Sequence, residues 1–198
     1  MYNFFVFILS YLITGINPSI IISNKVLKKD IRNLGSGNAG TTNSIRTMGK
    51  KWGTIVFCLD LLKVTTSYIV ILLIAKLFSY EVSNITKTIY MLASVLGHSY
   101  PIYYSFKGGK GVAVFLMSAF LIDFKLAIIS TAIGVLVILI SRYVSLGSMV
   151  GAIMLVLTNI FMKGNYNIFI LILTVIVIVY NHRENIIRLL NNKENKLF

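Results

Sequence analysis

The chain has 198 residues, 57% of them hydrophobic and only 13% charged, with a mean hydropathy of +0.82. Soluble globular domains carry about a quarter charged residues, so this composition excludes a water-soluble fold and fits a polytopic membrane protein. The net charge of +13 does not point to nucleic acid, because Lys and Arg sit in short connections between apolar runs, where orientation and anionic head groups account for them.

Apolar runs fall at 3–22, 53–77, 85–97, 112–122, 126–140, 147–162 and 166–181. A full span needs roughly 20 residues. The first two runs satisfy this, whereas several later ones are short, 112–122 above all. Short runs are the pattern of helices that start or stop beside a polar cavity. The expectation is an all-α integral membrane protein of about seven transmembrane helices in a single domain, 1–198, with five or six spans if the short runs are re-entrant. No basic residue precedes the first run and no small-residue cleavage site is evident, so it reads as a retained span. No internal repeat is visible.

The first polar stretch is Gly35 to Arg46, GSGNAGTTNSIR. Twelve residues without hydrophobic periodicity separate two apolar runs. Three glycines and four hydroxyl residues give a backbone able to curl with its N–H groups inward, and Arg46 adds a planar fork of donors for phosphate or carboxylate. This is an anion cradle at a membrane surface, against the plainer alternative of a flexible loop. In the next run, Asp60 and Lys63 are three apart and share a helix face. Charges within a span are normally paired or turned to a cavity, and a structural ion pair is the stronger reading. The single cysteine, Cys58, has no disulfide partner and reads as a buried small hydrophobe.

The second polar stretch is Gly97 to Gly111, GHSYPIYYSFKGGKG. Lys107 and Lys110 flank Gly108 and Gly109, and the chain then enters the apolar run at Val112. A phosphate at a helix N-terminus is favoured by the dipole and by free N–H groups. The P-loop spacing is absent, so nucleotide binding is not expected. His98 opens the stretch, either as a ligand or as a helix-end residue that orients the loop. The connection at 142–148 holds Ser145 and Ser148, which could cap the following helix or contact a ligand. After the last run, His182 and Asn185 share a helix face with Arg188 nearby. Two histidines without a cysteine partner or an HExxH pattern make a metal site unexpected.

Alternating spans from an outside N-terminus put fourteen basic residues on one side and four on the other, with Lys63 inside a span. The richer side is cytoplasmic by the positive-inside rule, and so is the C-terminus. Every polar stretch then opens on that one face. A transporter for phosphorylated metabolites also predicts basic loops, but it requires polar groups at mid-membrane and two related halves.

GSGNAGTTNSIRTMGKKWG with Asp60-x-x-Lys63, GHSYPIYYSFKGGKGVA, RYVSLGSM and HRENIIRLLNNKEN resemble, in order, the motifs of the PlsY family, bacterial acyl-phosphate-dependent glycerol-3-phosphate acyltransferases. The chain departs from the family pattern at Thr41, where alanine is common, at Val64, where glycine is usual, and at Asn192-Lys193, where Gly-Thr is usual. The resemblance implies transfer of a fatty acyl group from acyl phosphate to the 1-hydroxyl of glycerol 3-phosphate. The products are lysophosphatidate and inorganic phosphate, and the step is the first acylation of phospholipid synthesis. It implies no cofactor, a bacterial cytoplasmic membrane location with the site facing the cytoplasm, and functional pairing with the enzyme that makes acyl phosphate. The residues it implicates in catalysis are Ser36, Arg46, Lys107, Lys110, Ser145 (with Ser148 as the second choice for that serine), His182 and Asn185. Those it implicates in substrate binding are Gly35, Gly37, Asn38, Gly40, Asn43, His98, Gly108, Gly109 and Gly111.

Overall fold

The computed structural model describes residues 1–197, and among them are ten α-helices, two short 3-10 turns and no strand. The first apolar run is two helices. α1 (Tyr2–Gly15) stops at Ile16, and α2 (Pro18–Val26) restarts with Pro18 in its first turn, where the missing N–H costs nothing. Asn17 caps α2 by accepting from the Ile20 N–H at 3.1 Å. α3 (Thr41–Met48) makes the second half of the first polar stretch helical. Its sequence, TTNSIRTM, has only Ile45 and Met48 as large apolar residues, too short a stripe to announce a helix.

The remaining apolar runs are each helical: α4 (Lys50–Leu77), α5 (Asn84–Ser99), α6 (Val112–Ile122), α7 (Phe124–Ser141), α8 (Val144–Phe161) and α9 (Ile168–Asn181). α10 (Arg183–Leu190) follows α9 across a 58° bend at His182. α1 with α2, α4, α7 and α8 are long and apolar enough to cross a membrane, and α9 with α10 is a fifth if the bent pair counts as one span. α5 with 16 residues and α6 with 11 fall short of the roughly 20 a full crossing needs. Ser145 and Ser148 lie inside α8 and do not cap it; Tyr143 holds the cap position.

Lipid gives helices little hydrophobic reason to associate, so close packing and buried hydrogen bonds must hold them together. α5 packs against α1, α6 and α9. Its approach to α1 is backbone-close: a Cβ on Gly97 would lie 2.3 Å from the Tyr11 carbonyl oxygen. Thr14 donates across that seam to the Ser94 carbonyl at 3.1 Å, and Tyr90 donates to the Val64 carbonyl at 2.8 Å. α7 and α8 form a hairpin sealed by Gly134, Gly147 and Gly151, where a Cβ on Gly147 would meet the Gly134 carbonyl oxygen at 2.4 Å. Leu62, Leu73, Leu136, Ile140 and Phe169 face outward. Cys58 is also exposed, contrary to the expected burial. α4 is apolar nearly all round, so its sequence does not separate the packing side from the lipid side.

The hairpin sets a stability test. In detergent, Gly147→Val should lower the unfolding free energy by roughly 1–3 kcal/mol, read as a drop in Tm, because the added carbons meet backbone. Ile140→Ala on the outward face should stay within about 0.5 kcal/mol of wild type. An unchanged Tm for Gly147→Val would mean that α7 and α8 do not pack this closely.

Candidate active site

The first polar stretch is held open by one side chain. Asn43, buried on α3, accepts from the Ser36 N–H at 2.9 Å and donates to the Leu34 and Ile31 carbonyls at 2.9 and 3.4 Å. Gly35 has φ +57°, and a Cβ there would sit 2.3 Å from Asn43 Oδ1. Glycine is needed at this turn twice over, for its backbone angle and for the close approach. Ser44 and Ser19 hydroxyls, 2.8 Å apart, pin α3 to α2.

The second polar stretch is pinned to the end of α5. Gly108 N–H donates to the Ser99 carbonyl at 3.0 Å and Gly109 N–H to the His98 carbonyl at 3.1 Å. Arg32, from the first connection, donates to the Tyr104 carbonyl at 2.8 Å and to the Lys107 carbonyl at 3.3 Å, while Asp30 holds its guanidinium at 2.7 Å. The first connection therefore clamps the second loop. Gly111, at φ +84°, turns the chain into α6.

The tail closes the site. Glu194 accepts from Ser145 Oγ at 2.8 Å, Asn185 Nδ2 at 2.6 Å and Arg188 Nε at 2.7 Å. Asn185 in turn accepts from the Lys110 ammonium. The Leu197 N–H reaches the Arg142 carbonyl at 2.8 Å. Lys110, Asn185, Glu194 and Ser145 thus join three stretches distant in sequence by one chain of hydrogen bonds, and Arg32 ties the first connection to the second loop.

They enclose a cavity of about 600 Å³. Gly35, Ser36, Asn38, Gly40, Asn43 and Arg46 line it from the first stretch, and His98, Lys110 and Gly111 from the second. Ser145, His182 and Asn185 line it from the later stretches. Lys107 is the clear exception: its side chain is exposed and does not line the cavity. Gly37, Gly108 and Gly109 do not line it either; the last two shape the wall through the contacts above. Apolar walls come from Phe57, Val112, Leu116 and Val144.

Arg188, Glu194 and Lys196 also line the cavity and were not singled out as site residues from sequence. Arg188 was legible from its i, i+3 spacing to Asn185. Glu194 lies beyond the last helix, where no periodicity or spacing marks it.

The electrostatics favour an anion. Neither Arg46 nor Lys110 has a carboxylate within ion-pair distance among the described residues. Burial, and then the Arg188 charge, pushes the Lys110 ammonium down to about 8. Burial also pushes His182 down to about 4, leaving it neutral near pH 7. Its Nδ1 lies 2.8 Å from the Ile178 carbonyl, which can only accept, so Nδ1 carries the proton and Nε2 is a free lone pair. Burial raises the Glu194 carboxyl, but the bonds from Asn185, Arg188 and Ser145 outweigh it and keep it below its ordinary value.

The family model for glycerol-3-phosphate acyltransferase matches residues 4–192. A glycerol-3-phosphate acyltransferase of Thermoanaerobacter pseudethanolicus is 40% identical over all of this chain and 96% of its own length. One from Aquifex aeolicus is 40% identical over 97% of each chain. The crystal structure of PlsY, an integral membrane glycerol 3-phosphate acyltransferase, in its glycerol 3-phosphate form is 38% identical with a TM-score of 0.85, covering 99% of this chain and 96% of that one. Its lysophosphatidic acid form gives a TM-score of 0.82 at 37% identity, covering 99% and 95%. The chain therefore belongs to the glycerol-3-phosphate acyltransferase family, of the PlsY type, and is an integral membrane acyltransferase.

Proposed function

We propose that this enzyme transfers a fatty acyl group from acyl phosphate to the 1-hydroxyl of glycerol 3-phosphate, releasing lysophosphatidate and inorganic phosphate. The observation that carries this reading is the cavity itself, with Arg46, Lys110 and Arg188 brought from three separate stretches to one space beside apolar walls. Both substrates bear phosphate and one bears a long chain, so a cationic cavity opening on apolar helices suits the pair. The relatives crystallised with glycerol 3-phosphate and with lysophosphatidic acid support the acceptor and the product.

Acyl phosphate is already activated, so positioning and charge stabilisation can supply the catalysis. The acceptor hydroxyl attacks the carbonyl carbon. A carbon–oxygen ester bond forms, the carbon–oxygen bond to phosphate breaks, and the electron pair leaves with inorganic phosphate. Arg46 and Lys110 hold phosphate oxygens, with Ser36 and the loop glycines shaping the first cradle. Ser145 and Asn185 set the polar edge through Glu194. The hydroxyl proton passes to a substrate phosphate oxygen, whose second pKa is near 6. His182 is the rival base, but at about 4 it is the weaker one.

In this reading residues 1–198 act as a single domain in the bacterial cytoplasmic membrane. The seven apolar segments alternate in direction, α5 and α6 as short ones held within the bundle, with the N-terminus outside and the C-terminus and cavity on the cytoplasmic side. The excess of Lys and Arg in the connections that meet at the cavity supports that orientation. No cofactor takes part, and the enzyme that makes acyl phosphate is the natural functional partner.

The donor is tested by giving detergent-purified protein glycerol 3-phosphate with acyl phosphate, acyl-CoA or acyl carrier protein in parallel. Lysophosphatidate should form from acyl phosphate alone, with one inorganic phosphate per turnover. Product from a thioester donor and none from acyl phosphate would reject the proposal.

A second test uses Lys110. Its charge is present below about pH 8 and lost above it, so phosphate binding weakens as pH rises. kcat/KM reports the free enzyme and should fall above about pH 8. In Lys110→Arg the break should move upward, because a guanidinium keeps its charge. The same break in both proteins would remove Lys110 from phosphate binding.

A further inference from the structure

The acyl-transfer reading gives no role to Asp60 and Lys63, which form a buried charged cluster with His98. Lys63 Nζ lies 2.9 Å from Asp60 Oδ1, 2.8 Å from the Ile16 carbonyl oxygen and 2.9 Å from His98 Nδ1. Asp60, Lys63 and His98 are only 1%, 9% and 3% exposed. The cluster therefore ties α4 to α5 and fills the carbonyl left open where α1 ends. Asp60 and His98 are also part of the cavity wall.

The contact between Lys63 and His98 fixes a proton. An ammonium has three donors and no lone pair, so His98 Nδ1 must be the acceptor. An N–H on Nδ1 would face a Lys63 N–H across 2.9 Å, donor against donor. Asp60 Oδ1 is farther from Nδ1, at 3.5 Å. The imidazole proton therefore sits on Nε2. That atom lies against Gly109, where a Cβ would be 2.2 Å away, and among the described residues no protein group accepts from it. His182 is held in the opposite tautomer by the Ile178 carbonyl.

We propose that Asp60 and Lys63 are positioning residues that lock His98 as a neutral Nε2–H donor to a substrate phosphate oxygen in the cavity whose wall His98 forms. The inference rests on the phosphate-site reading above. Arg46, Lys110 and Arg188 already supply positive charge there, and a neutral donor adds direction without a further charge to desolvate. The Asp60–Lys63 pair keeps the cluster neutral within the membrane-embedded wall, where a lone charge would be costly.

The chain has two histidines, so protein labelled with 15N in histidine alone gives two ring signals, and His182→Gln assigns them. Wild-type His98 should be the Nε2–H tautomer and His182 the Nδ1–H tautomer. Asp60→Leu combined with Lys63→Met removes both charges together and leaves no uncompensated one. In that protein His98 should lose its single tautomer. KM for one of the two phosphate substrates, measured separately, should rise about tenfold or more, with a smaller change in kcat. Which KM rises identifies the phosphate that His98 holds. An Nδ1–H proton on wild-type His98 overturns the proposal. A folded double variant that keeps the Nε2–H tautomer, or keeps both KM values, also overturns it. Should the double variant not fold, the wild-type tautomer decides alone. Failure of the acyl phosphate reading would show separately, as wild type that forms no lysophosphatidate while the tautomer assignment stands.

Discussion

The two polar loops of the proposed phosphate site meet at Gly109, and their approach depends on there being no side chain at that point. A Cβ would lie 2.8 Å from the Ala39 carbonyl oxygen of the first loop and 2.2 Å from His98 Nε2. At Gly108 it would lie 2.0 Å from the His98 carbonyl oxygen. Ala39 is itself held by Asn17, which donates to its carbonyl at 3.2 Å from the break between α1 and α2. One contact thus sets the spacing between two cradles and the first span. With a methyl group interposed, donors on the two loops could no longer converge on one anion.

This contact also explains which parts of the site were legible in the sequence. The polar stretches stand out because long apolar runs flank them, and their glycine, serine and arginine content is what suggests an anion as ligand. The sequence FKGGKG, by contrast, is nearly symmetric and offers Lys107 and Lys110 alike. The fold separates them. Gly108 and Gly109 are bonded back to Ser99 and His98, so the chain turns between the lysines, leaving Lys107 outside and carrying Lys110 into the cavity. No residue-level signal encodes that turn. α3 was hidden for a related reason, since its polar residues line a cavity and leave only Ile45 and Met48 as an apolar stripe. The exposure of Cys58 was hidden because lipid and protein interior select the same apolar residues.

The departures from the PlsY pattern are each accommodated. Asn192, in place of the usual glycine, has φ +53°, in the left-handed region that asparagine tolerates better than most residues. The chain can still turn there, and Glu194 still reaches Ser145, Asn185 and Arg188. Val64, in place of glycine, is fully buried and its carbonyl takes the Tyr90 hydroxyl. Thr41 opens α3 and lines the cavity.

The whole arrangement places cationic side chains at one end of an apolar bundle, where the proposed reaction requires a soluble phosphate and a lipid-borne one to meet. Its geometry is tested most directly by Gly109→Ala. On protein shown to be folded, KM for glycerol 3-phosphate or for acyl phosphate should rise about tenfold or more, since a misplacement of about 1 Å can cost 100-fold. Wild-type constants for both substrates in folded Gly109→Ala would contradict the account, because the two loops would then not need to touch.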